Sequence, residues 1–308
     1  MEDRALLEEL EPTVASLLHK HLARAKEWFP HEMVPWGKGR DFQPDEEWDP
    51  LEYPVPDGVR SALFLNLLTE DNLPYYYHTI QNVFGDGAWG EWARRWTAEE
   101  GRHAIVIRDY LTVTRALDAT ELERARMRQV SGGITPEPQN PADTMVYVTM
   151  QELATRIAHL NTGKLLTDRA GYEVMARVAA DENLHYLFYR GITDAALRLD
   201  PSTVVLAIDR QVHGFDMPGT GIADFPTHAR RIAKVGIYDF VQHHDHILLP
   251  LVLRHWKVES IEGLSGEAEQ ARDRLVGYVH RVGKAAQRLK DRRDDAGADP
   301  EGKPGEAA

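Results

Sequence analysis

The stretch Trp96-Thr-Ala-Glu-Glu-Gly-Arg-His103 decides the fold of this chain. Within it, Glu100 and His103 lie three residues apart, which is about one helical turn, so both side chains leave the same face of a helix. A carboxylate and an imidazole side by side can bind a divalent metal ion. The same spacing recurs at Glu182 and His185, although a chain with 14 His residues can contain a Glu-x-x-His pair by chance.

The spacing of two further Glu residues strengthens the pattern. Glu70 lies 30 residues before Glu100, and Glu152 lies 30 residues before Glu182, so the complete pattern occurs twice with an offset of 82 residues. Two helices that each give one Glu and two that each give Glu-x-x-His form the ligand set of di-iron carboxylate bundles. The pattern therefore predicts an all-α fold, with a ferritin-like di-iron four-helix bundle core and additional helices.

Helical periodicity and Gly/Pro breaks organise the rest of the chain, and no stretch alternates like a strand. They predict an irregular segment over 30–56, a helix over 58–84 that Pro74 kinks, and helices over 227–255 and 265–292. We expect a single domain over 1–292. The tail over 293–308 is rich in Asp, Gly, Pro, Ala and Glu, a composition that predicts disorder.

Composition excludes several classes of function. The net charge of −13 argues against nucleic acid as a partner, because phosphate binding needs a basic surface. The absence of Cys excludes disulfides, thiolate catalysis and protein-bound iron–sulfur clusters, so a redox reaction needs electrons from another molecule. The acidic N-terminus resembles neither a signal nor a transit peptide, and no apolar run approaches the ~20 residues of a membrane span. We expect a cytoplasmic protein.

The predicted site has four carboxylates and two imidazoles. Buried carboxylates need partners, and two divalent cations neutralise four negative charges, so the site is favourable only when both metals bind. This oxygen-rich donor set favours iron, with manganese possible in its place, over zinc. We expect Glu100 and Glu182 to bridge the metals, with Glu70 and Glu152 as terminal ligands. Such a pair can use dioxygen to attack an unactivated C–H bond.

The sequence around these residues resembles that of the soluble acyl-acyl-carrier-protein desaturases, which are the plastid stearoyl-type enzymes and their actinobacterial relatives. It includes Thr69-Glu-Asp-Asn-Leu-Pro74, Gln151-Glu-Leu-Ala-Thr155, Ala180-Asp-Glu-Asn-Leu-His185 and Gly236-Ile-Tyr-Asp-Phe240, besides the stretch ending at His103. The resemblance implies a homodimer that inserts a cis double bond into a fatty acyl chain on acyl carrier protein. It also implies the use of dioxygen and of electrons from a ferredoxin-type donor.

The resemblance assigns roles to individual residues. The iron ligands are Glu70, Glu100, His103, Glu152, Glu182 and His185. Thr155 falls beside the dioxygen site, where its hydroxyl would relay a proton; the alternative is an ordinary helix Thr that bonds its own backbone. Asp181 and Trp28 match residues that link His103 to the surface for electron transfer. The acyl pocket is lined by Thr79, Asn82, Val83, Thr144 and Met145.

Two other sets of side chains admit a simpler interpretation. His243, His244, Asp245 and His246 look like a metal cluster, but adjacent helix residues point in different directions, so we expect a solvated helix face. Acyl carrier protein and ferredoxin are acidic, so basic side chains should dock them. The candidates are Arg124, Arg126, Arg128, Arg230, Arg231 and Lys234, although ordinary charged helix faces are the commoner origin of such runs.

Other functions share the same ligand set. One is a different di-iron oxygenase, such as a hydroxylase or an N-oxygenase. Only the substrate pocket and the product distinguish such an enzyme from a desaturase. Another is a non-catalytic metal-binding protein, or an inactive homologue that binds acyl carrier protein; the presence of all six ligands argues against inactivity. Ribonucleotide reductase small subunits and ferritins fit less well, because the surrounding text matches desaturases and ferritins lack the additional helices.

Overall fold

The computed structural model describes residues 2–43, 45–133, 135 and 140–297. Within these residues the chain is helical and contains no strand, so the expected all-α fold is confirmed. The α-helices are α1 (Asp3–Arg24), α2 (Pro30–Met33), α3 (Asp57–Glu70), α4 (Leu73–Phe84), α5 (Gly87–Thr114), α6 (Ala119–Gly132), α7 (Pro141–Lys164), α8 (Arg169–Leu199), α9 (Pro201–His213), α10 (Phe225–Lys234), α11 (Phe240–His243) and α12 (Gly266–Gly297). Two short 3-10 helices, Trp36–Lys38 and Val258–Ser260, and one π-helix, His244–His255, complete the fold.

The core of the molecule is a bundle of α3, α5, α7 and α8. Helix α7 packs along α8, α3 packs on α5 and α7, and α5 packs on α8. Helix α7 is buried on nearly every side from Pro141 to Thr155, which is the pattern of a helix at the centre of a protein. Helices α1, α4, α9 and α12 are additional, and α1 and α4 cover the bundle directly.

A helix break follows directly after Glu70. The expectation of one kinked helix over 58–84 is wrong, because α3 ends at Glu70 and α4 begins at Leu73. Pro74 lies in the first turn of α4, where its missing N–H leaves no hydrogen bond unmade. Glu70 is therefore the last residue of α3, and its side chain points into the bundle from the end of the helix rather than from its middle.

The C-terminal part also differs from the expected helices. The predicted helix over 227–255 is divided into α10, α11 and the π-helix. Pro250 lies inside the π-helix, and the Trp256 N–H donates to the Leu251 carbonyl, five residues back. Helix α12 continues to Gly297, beyond the expected end of the domain at residue 292. The rest of the expected tail, 298–308, lies outside the described residues.

Apolar side chains form two buried clusters that meet at the level of the ligand motifs. Along α5, Trp96 belongs to the larger cluster and Val106 to the smaller one. Along α8, Val178 belongs to the smaller cluster and Tyr186 to the larger one. Both Glu-x-x-His motifs therefore lie in a polar layer between the two apolar clusters. No helix in the described part of the chain is long and apolar enough to cross a membrane.

Candidate metal centre

The six side chains expected to bind metal converge in the centre of the bundle. Each of the four core helices contributes to the cluster, and every one of the six residues is at most 6% exposed. Glu70 comes from the end of α3, and Glu152 comes from the middle of α7. The two Glu-x-x-His pairs come from the middle of α5 and α8.

The six residues form two overlapping groups of four, and within each group the ligand atoms lie within 4.8 Å of one another. The first group is Glu70, Glu100, His103 and Glu182; the second is Glu100, Glu152, Glu182 and His185. Glu100 and Glu182 belong to both groups. One oxygen of Glu100 lies 3.0 Å from Nδ1 of His103, and the other lies 2.8 Å from Nδ1 of His185. This is the arrangement of a carboxylate that can bridge two cations.

The electrostatics of the cluster fit bound cations. Burial would lower the pKa of His103, but the carboxylates of Glu100, Asp181 and Glu70 outweigh it and raise that pKa well above its usual value. Burial and the neighbouring Glu182 raise the pKa of Glu152. The Oε2 atom of Glu152 is buried, and no atom of the described residues forms a hydrogen bond with it. A buried carboxylate oxygen without a partner is costly, and a metal ion would remove this cost.

On one side of the cluster, His103 is supported by a carboxylate. Its Nε2 lies 3.5 Å from Oδ2 of Asp181, which also accepts a hydrogen bond of 2.8 Å from the Trp28 indole. Arg102 and Arg177 contact the same carboxylate. Burial opposes ionisation of Asp181, but His103, Arg177 and Trp28 together lower its pKa to about 2. Trp28, Asp181 and His103 thus form one connected row, while their role in electron transfer remains a prediction.

The opposite side has a matching arrangement that the sequence interpretation missed. The Nε2 atom of His185 lies 3.0 Å from Oε2 of Glu99, and the same oxygen lies 2.8 Å from Nε2 of His21 on α1. Arg95 donates to the other oxygen of Glu99 at 2.7 Å. The sequence does contain a pattern that indicates this contact. An acidic residue, Glu99 or Asp181, directly precedes the Glu of each Glu-x-x-His pair.

A further buried histidine contacts the cluster. The Nε2 atom of His159 lies 3.1 Å from Oε1 of Glu70 and 3.5 Å from Oε1 of Glu182. Burial opposes protonation of His159, but hydrogen bonds to Glu182 and Glu70 raise its pKa to about 9. His159 follows Glu152 by seven residues, which is two helical turns, so it shares the inward face of α7. That spacing was the available signal.

Two largely apolar cavities meet beside the cluster. The α4 cavity is lined by side chains of α4 and α7 that include Leu73, Tyr76, Ile80 and Tyr147. The α10 cavity is lined by residues that include Phe225, Ala229, Ile232 and Tyr238. Both cavities are lined by Thr69, Glu70, Thr155 and Pro218. An apolar lining with a few convergent polar groups is typical of sites for small organic ligands.

Comparison with known proteins places this arrangement in a family. A family model described as fatty acid desaturase matches residues 2–301. The chain belongs to the fatty acid desaturase family. It is 41% identical over 287 residues to a Mycobacterium tuberculosis protein named as the acyl-acyl-carrier-protein desaturase DesA1, with 90% of this chain and 85% of that protein covered. It is 32% identical to the chloroplastic stearoyl-acyl-carrier-protein 9-desaturase 1 of Oryza sativa, with 82% and 74% covered.

A solved structure of another desaturase has a similar fold. The X-ray structure of the acyl-ACP desaturase DesA2 from Mycobacterium tuberculosis aligns with a TM-score of 0.70 and 26% sequence identity. The alignment covers 84% of this chain and 97% of that chain. The ferritin-like helical architecture expected from the ligand spacing is therefore confirmed.

The residues expected to line the acyl pocket of this desaturase are only partly at the cavities. Thr79 and Thr144 line the α4 cavity. Asn82, Val83 and Met145 line neither of these two cavities, and their place in the acyl pocket stays a prediction. Asn82 is exposed and contacts His78, whereas Val83 and Met145 pack into the larger apolar cluster. The reason is helical geometry, because neighbours along α4 and α7 leave their helix in different directions.

Thr155 of the desaturase lies where the two cavities meet. Its hydroxyl donates to the carbonyl oxygens of Gln151, at 3.1 Å, and Glu152, at 3.2 Å. These are the backbone bonds of an ordinary helix Thr. Thr155 thus lies beside the ligand cluster and also bonds to its own helix. To relay a proton, its hydroxyl would have to rotate away from the backbone.

The histidine-rich stretch near α11 is not a solvated face, so that expectation is wrong. His244 is buried against α12, where Gly283 leaves room for its ring, and its Nδ1 lies 2.8 Å from Asp245. His243 stacks on Phe215, and its pKa is lowered to about 4 by burial and by His244. Of the three histidines only His246 is exposed. They take no part in the acidic–histidine clusters found among the described residues.

Proposed function

We propose that this protein is a di-iron desaturase that inserts a cis double bond into a fatty acyl chain bound to acyl carrier protein. The observation that carries the proposal is the position of the six-residue cluster at the junction of two apolar cavities. An extended aliphatic chain that occupies both cavities would pass beside Glu70 and Thr155. The names of the relatives, DesA1 and the rice enzyme, support the carrier-bound substrate.

The proposed metal site uses the two overlapping groups. One ion would be held by Glu70, Glu100, His103 and Glu182, and the other by Glu100, Glu152, Glu182 and His185. The donor set of carboxylates with one imidazole per ion supports iron, with manganese possible in its place. When bound, two reduced iron ions would supply the electrons that activate dioxygen.

The reaction removes two hydrogens from adjacent carbons and forms a C=C bond. Dioxygen is reduced to two waters, which takes the two hydrogens with their electrons plus two further electrons and two protons. The chain supplies no Cys-bound redox group, which supports an external donor of the ferredoxin type. The row from Trp28 through Asp181 to His103 supports electron transfer on that side, and Thr155 is placed to pass a proton. The homodimer and the cytoplasmic location rest on the family resemblance.

The protein's own contribution is positioning and exclusion of water. Apolar side chains of the two cavities would hold the acyl chain against the cluster, because an aliphatic chain gains about 0.8 kcal/mol per buried CH₂ group. The carboxylates behind the imidazoles fix both rings with Nδ1 towards the cluster, so little reorganisation is needed when the ions bind.

The test is product analysis with defined metal loading. Protein reconstituted anaerobically with ferrous iron is incubated with acyl carrier proteins of different acyl chain length, reduced ferredoxin and dioxygen. We expect two bound irons and a product that lacks two hydrogens, whose double bond is located by fragmentation in the mass spectrometer. Glu152→Gln should lose product, and Glu173→Gln, a surface change on α8, should retain it. A product that gains one oxygen would identify a hydroxylase instead, and two bound irons without any oxidised chain would contradict the proposal.

A further inference from the structure

Helix α10 has two chemically different faces. Phe225, Ala229 and Ile232 follow a spacing of four and three residues, and all three line the α10 cavity. On the outside, Arg230, Arg231 and Lys234 are exposed. The helix is therefore a thin wall, with apolar side chains on the cavity side and three positive charges on the solvent side.

The three cations of α10 are not neutralised by carboxylates. Across the described ranges, neither Arg231 nor Lys234 has an acidic group within ion-pair distance, and Arg230 donates only to the Thr227 hydroxyl at 3.1 Å. Asp239, which lies after the helix, pairs with Arg293 at 2.6 Å. Asp224, which precedes the helix, is exposed and has no ion pair in the described part. A net positive patch thus stands out on a chain with net charge −13.

Helix α6, which carries the other candidate docking residues, is different. Arg124 pairs with Glu121 at 2.6 Å, and Arg126 pairs with Glu123 at 2.6 Å. Most of its positive charge is therefore cancelled within its own helix surface. Helix α6 also contributes no side chain to either cavity beside the metal cluster. Of the two helices that carry the candidate docking residues, only α10 combines uncancelled charge with a cavity wall.

We propose that the outer face of α10 is the docking surface for acyl carrier protein, and that the acyl chain enters through the α10 cavity. The inference rests on the proposed function, since that function requires a carrier. Acyl carrier proteins are small and strongly acidic, so an uncancelled cationic face attracts them and accelerates association. The acyl thioester is on a flexible arm, and its point of insertion has to lie beside the docked carrier.

The charge distribution also orients the substrate. Helix α4, which lines the other cavity, contains neither Lys nor Arg in its twelve residues. The α4 cavity therefore lacks a cationic rim on that helix and receives the methyl end of the chain. The thioester end stays in the α10 cavity, and the carbons to be oxidised lie at the junction beside Thr155.

The test compares two variants with equal change in charge. The α10 variant is R230E/R231E/K234E, and the matched α6 variant is R124E/R126E/R128E. Binding of fluorescently labelled acyl carrier protein is measured by anisotropy at low and high salt, with circular dichroism and iron stoichiometry as checks on folding. Because each exposed ion pair strengthens binding by about 1.4- to 5-fold, losing three should weaken binding by about 3- to 150-fold at low salt. The α10 variant should also lose most of the salt dependence, and the α6 variant should stay within about twofold of wild type.

The outcomes separate this inference from the proposed function. Wild-type-like binding by the α10 variant, or a loss confined to the α6 variant, would overturn α10 as the docking surface. Neither of these results touches the proposed function, which product analysis tests separately. If the wild-type protein binds no acyl carrier protein at low salt, the docking surface and the carrier-bound substrate are both wrong.

Discussion

Replacing Glu152 with Gln should stabilise the metal-free protein and reduce the additional stabilisation that ferrous iron provides. In the metal-free protein, Oε1 of Glu152 accepts a hydrogen bond of 3.0 Å from Trp96, while Oε2 is buried, forms no hydrogen bond with the described residues and lies 3.7 Å from Nδ1 of His185. Gln preserves the shape and the bond from Trp96, and removes the charge. Relief of an unsatisfied buried group is worth about 1–3 kcal/mol, which for a chain of this size raises the melting temperature by about 2–6 °C.

The gain should grow with pH. Burial and Glu182 raise the pKa of Glu152 in the folded, metal-free protein. An acid with a raised pKa in the folded state stabilises the fold less as the pH rises, because the unfolded chain releases its proton first. Gln has no proton to release, so the difference between the variant and wild type is largest at alkaline pH.

With ferrous iron present the stability advantage of the variant over wild type should become smaller. A ligand at a hundredfold excess over its dissociation constant stabilises a folded protein by about 2.7 kcal/mol. If the loss of the Glu152 carboxylate weakens iron binding tenfold, about 1.4 kcal/mol of that gain disappears. The variant should therefore melt above wild type in chelator, and should gain only about half as much from iron.

The assay is thermal unfolding followed by far-UV circular dichroism under anaerobic conditions, with chelator or with ferrous iron. Glu173→Gln is the matched control, because Glu173 lies on the surface of α8 and, within the described part of the chain, forms an ion pair with Arg169 alone. Its melting temperature should change little in either condition. The reasoning is refuted if metal-free Glu152→Gln melts below wild type and shows an undiminished gain from iron.

Three further perturbations test other parts of the structure. Glu99→Gln removes the charge behind His185 and should weaken iron binding about 10- to 100-fold, which an anaerobic iron titration would show; an unchanged affinity would mean that Glu99 does not support the ligand. His243, with a pKa lowered to about 4, stays neutral in the fold while the unfolded chain takes up a proton, so wild type loses up to about 2 kcal/mol between pH 7 and pH 5. Urea unfolding of His243→Phe should show a smaller loss, and an equal loss would assign the effect to other groups. Thr144→Leu adds bulk to the α4 cavity and should shorten the preferred acyl chain by about two carbons, as judged by product mass spectra; an unchanged preference would place the chain end elsewhere.

The sequence was sufficient for the helical bundle and for the convergence of six side chains, because the spacing of ligands along helices is a local property. Glu100 and His103 share a face by helical geometry alone, and the repeat at Glu182 and His185 implies a second, facing helix. Their convergence is what the structure shows, and metal binding by them remains a prediction. The family resemblance also correctly placed Asp181 and Trp28 next to each other, although they lie 153 residues apart.

What the sequence did not reveal depends on contacts between distant segments. His21 on α1 meets Glu99 across 78 residues, and no local pattern marks that pairing. The break after Glu70 was missed because Pro both kinks helices and begins them, and only the packing of α4 decides between these. The pocket residues were carried over by position and stay a prediction, because a change of one residue along a helix turns a side chain by about a third of a revolution.

Each of the two Glu-x-x-His helices supports the histidine of the other. Glu99 of α5 backs His185 of α8, and Asp181 of α8 backs His103 of α5. Neither half of the repeat is therefore self-sufficient, and a mutation in one helix should disturb both groups of candidate ligands. We therefore expect homologous sequences to retain these four residues together or to lose them together.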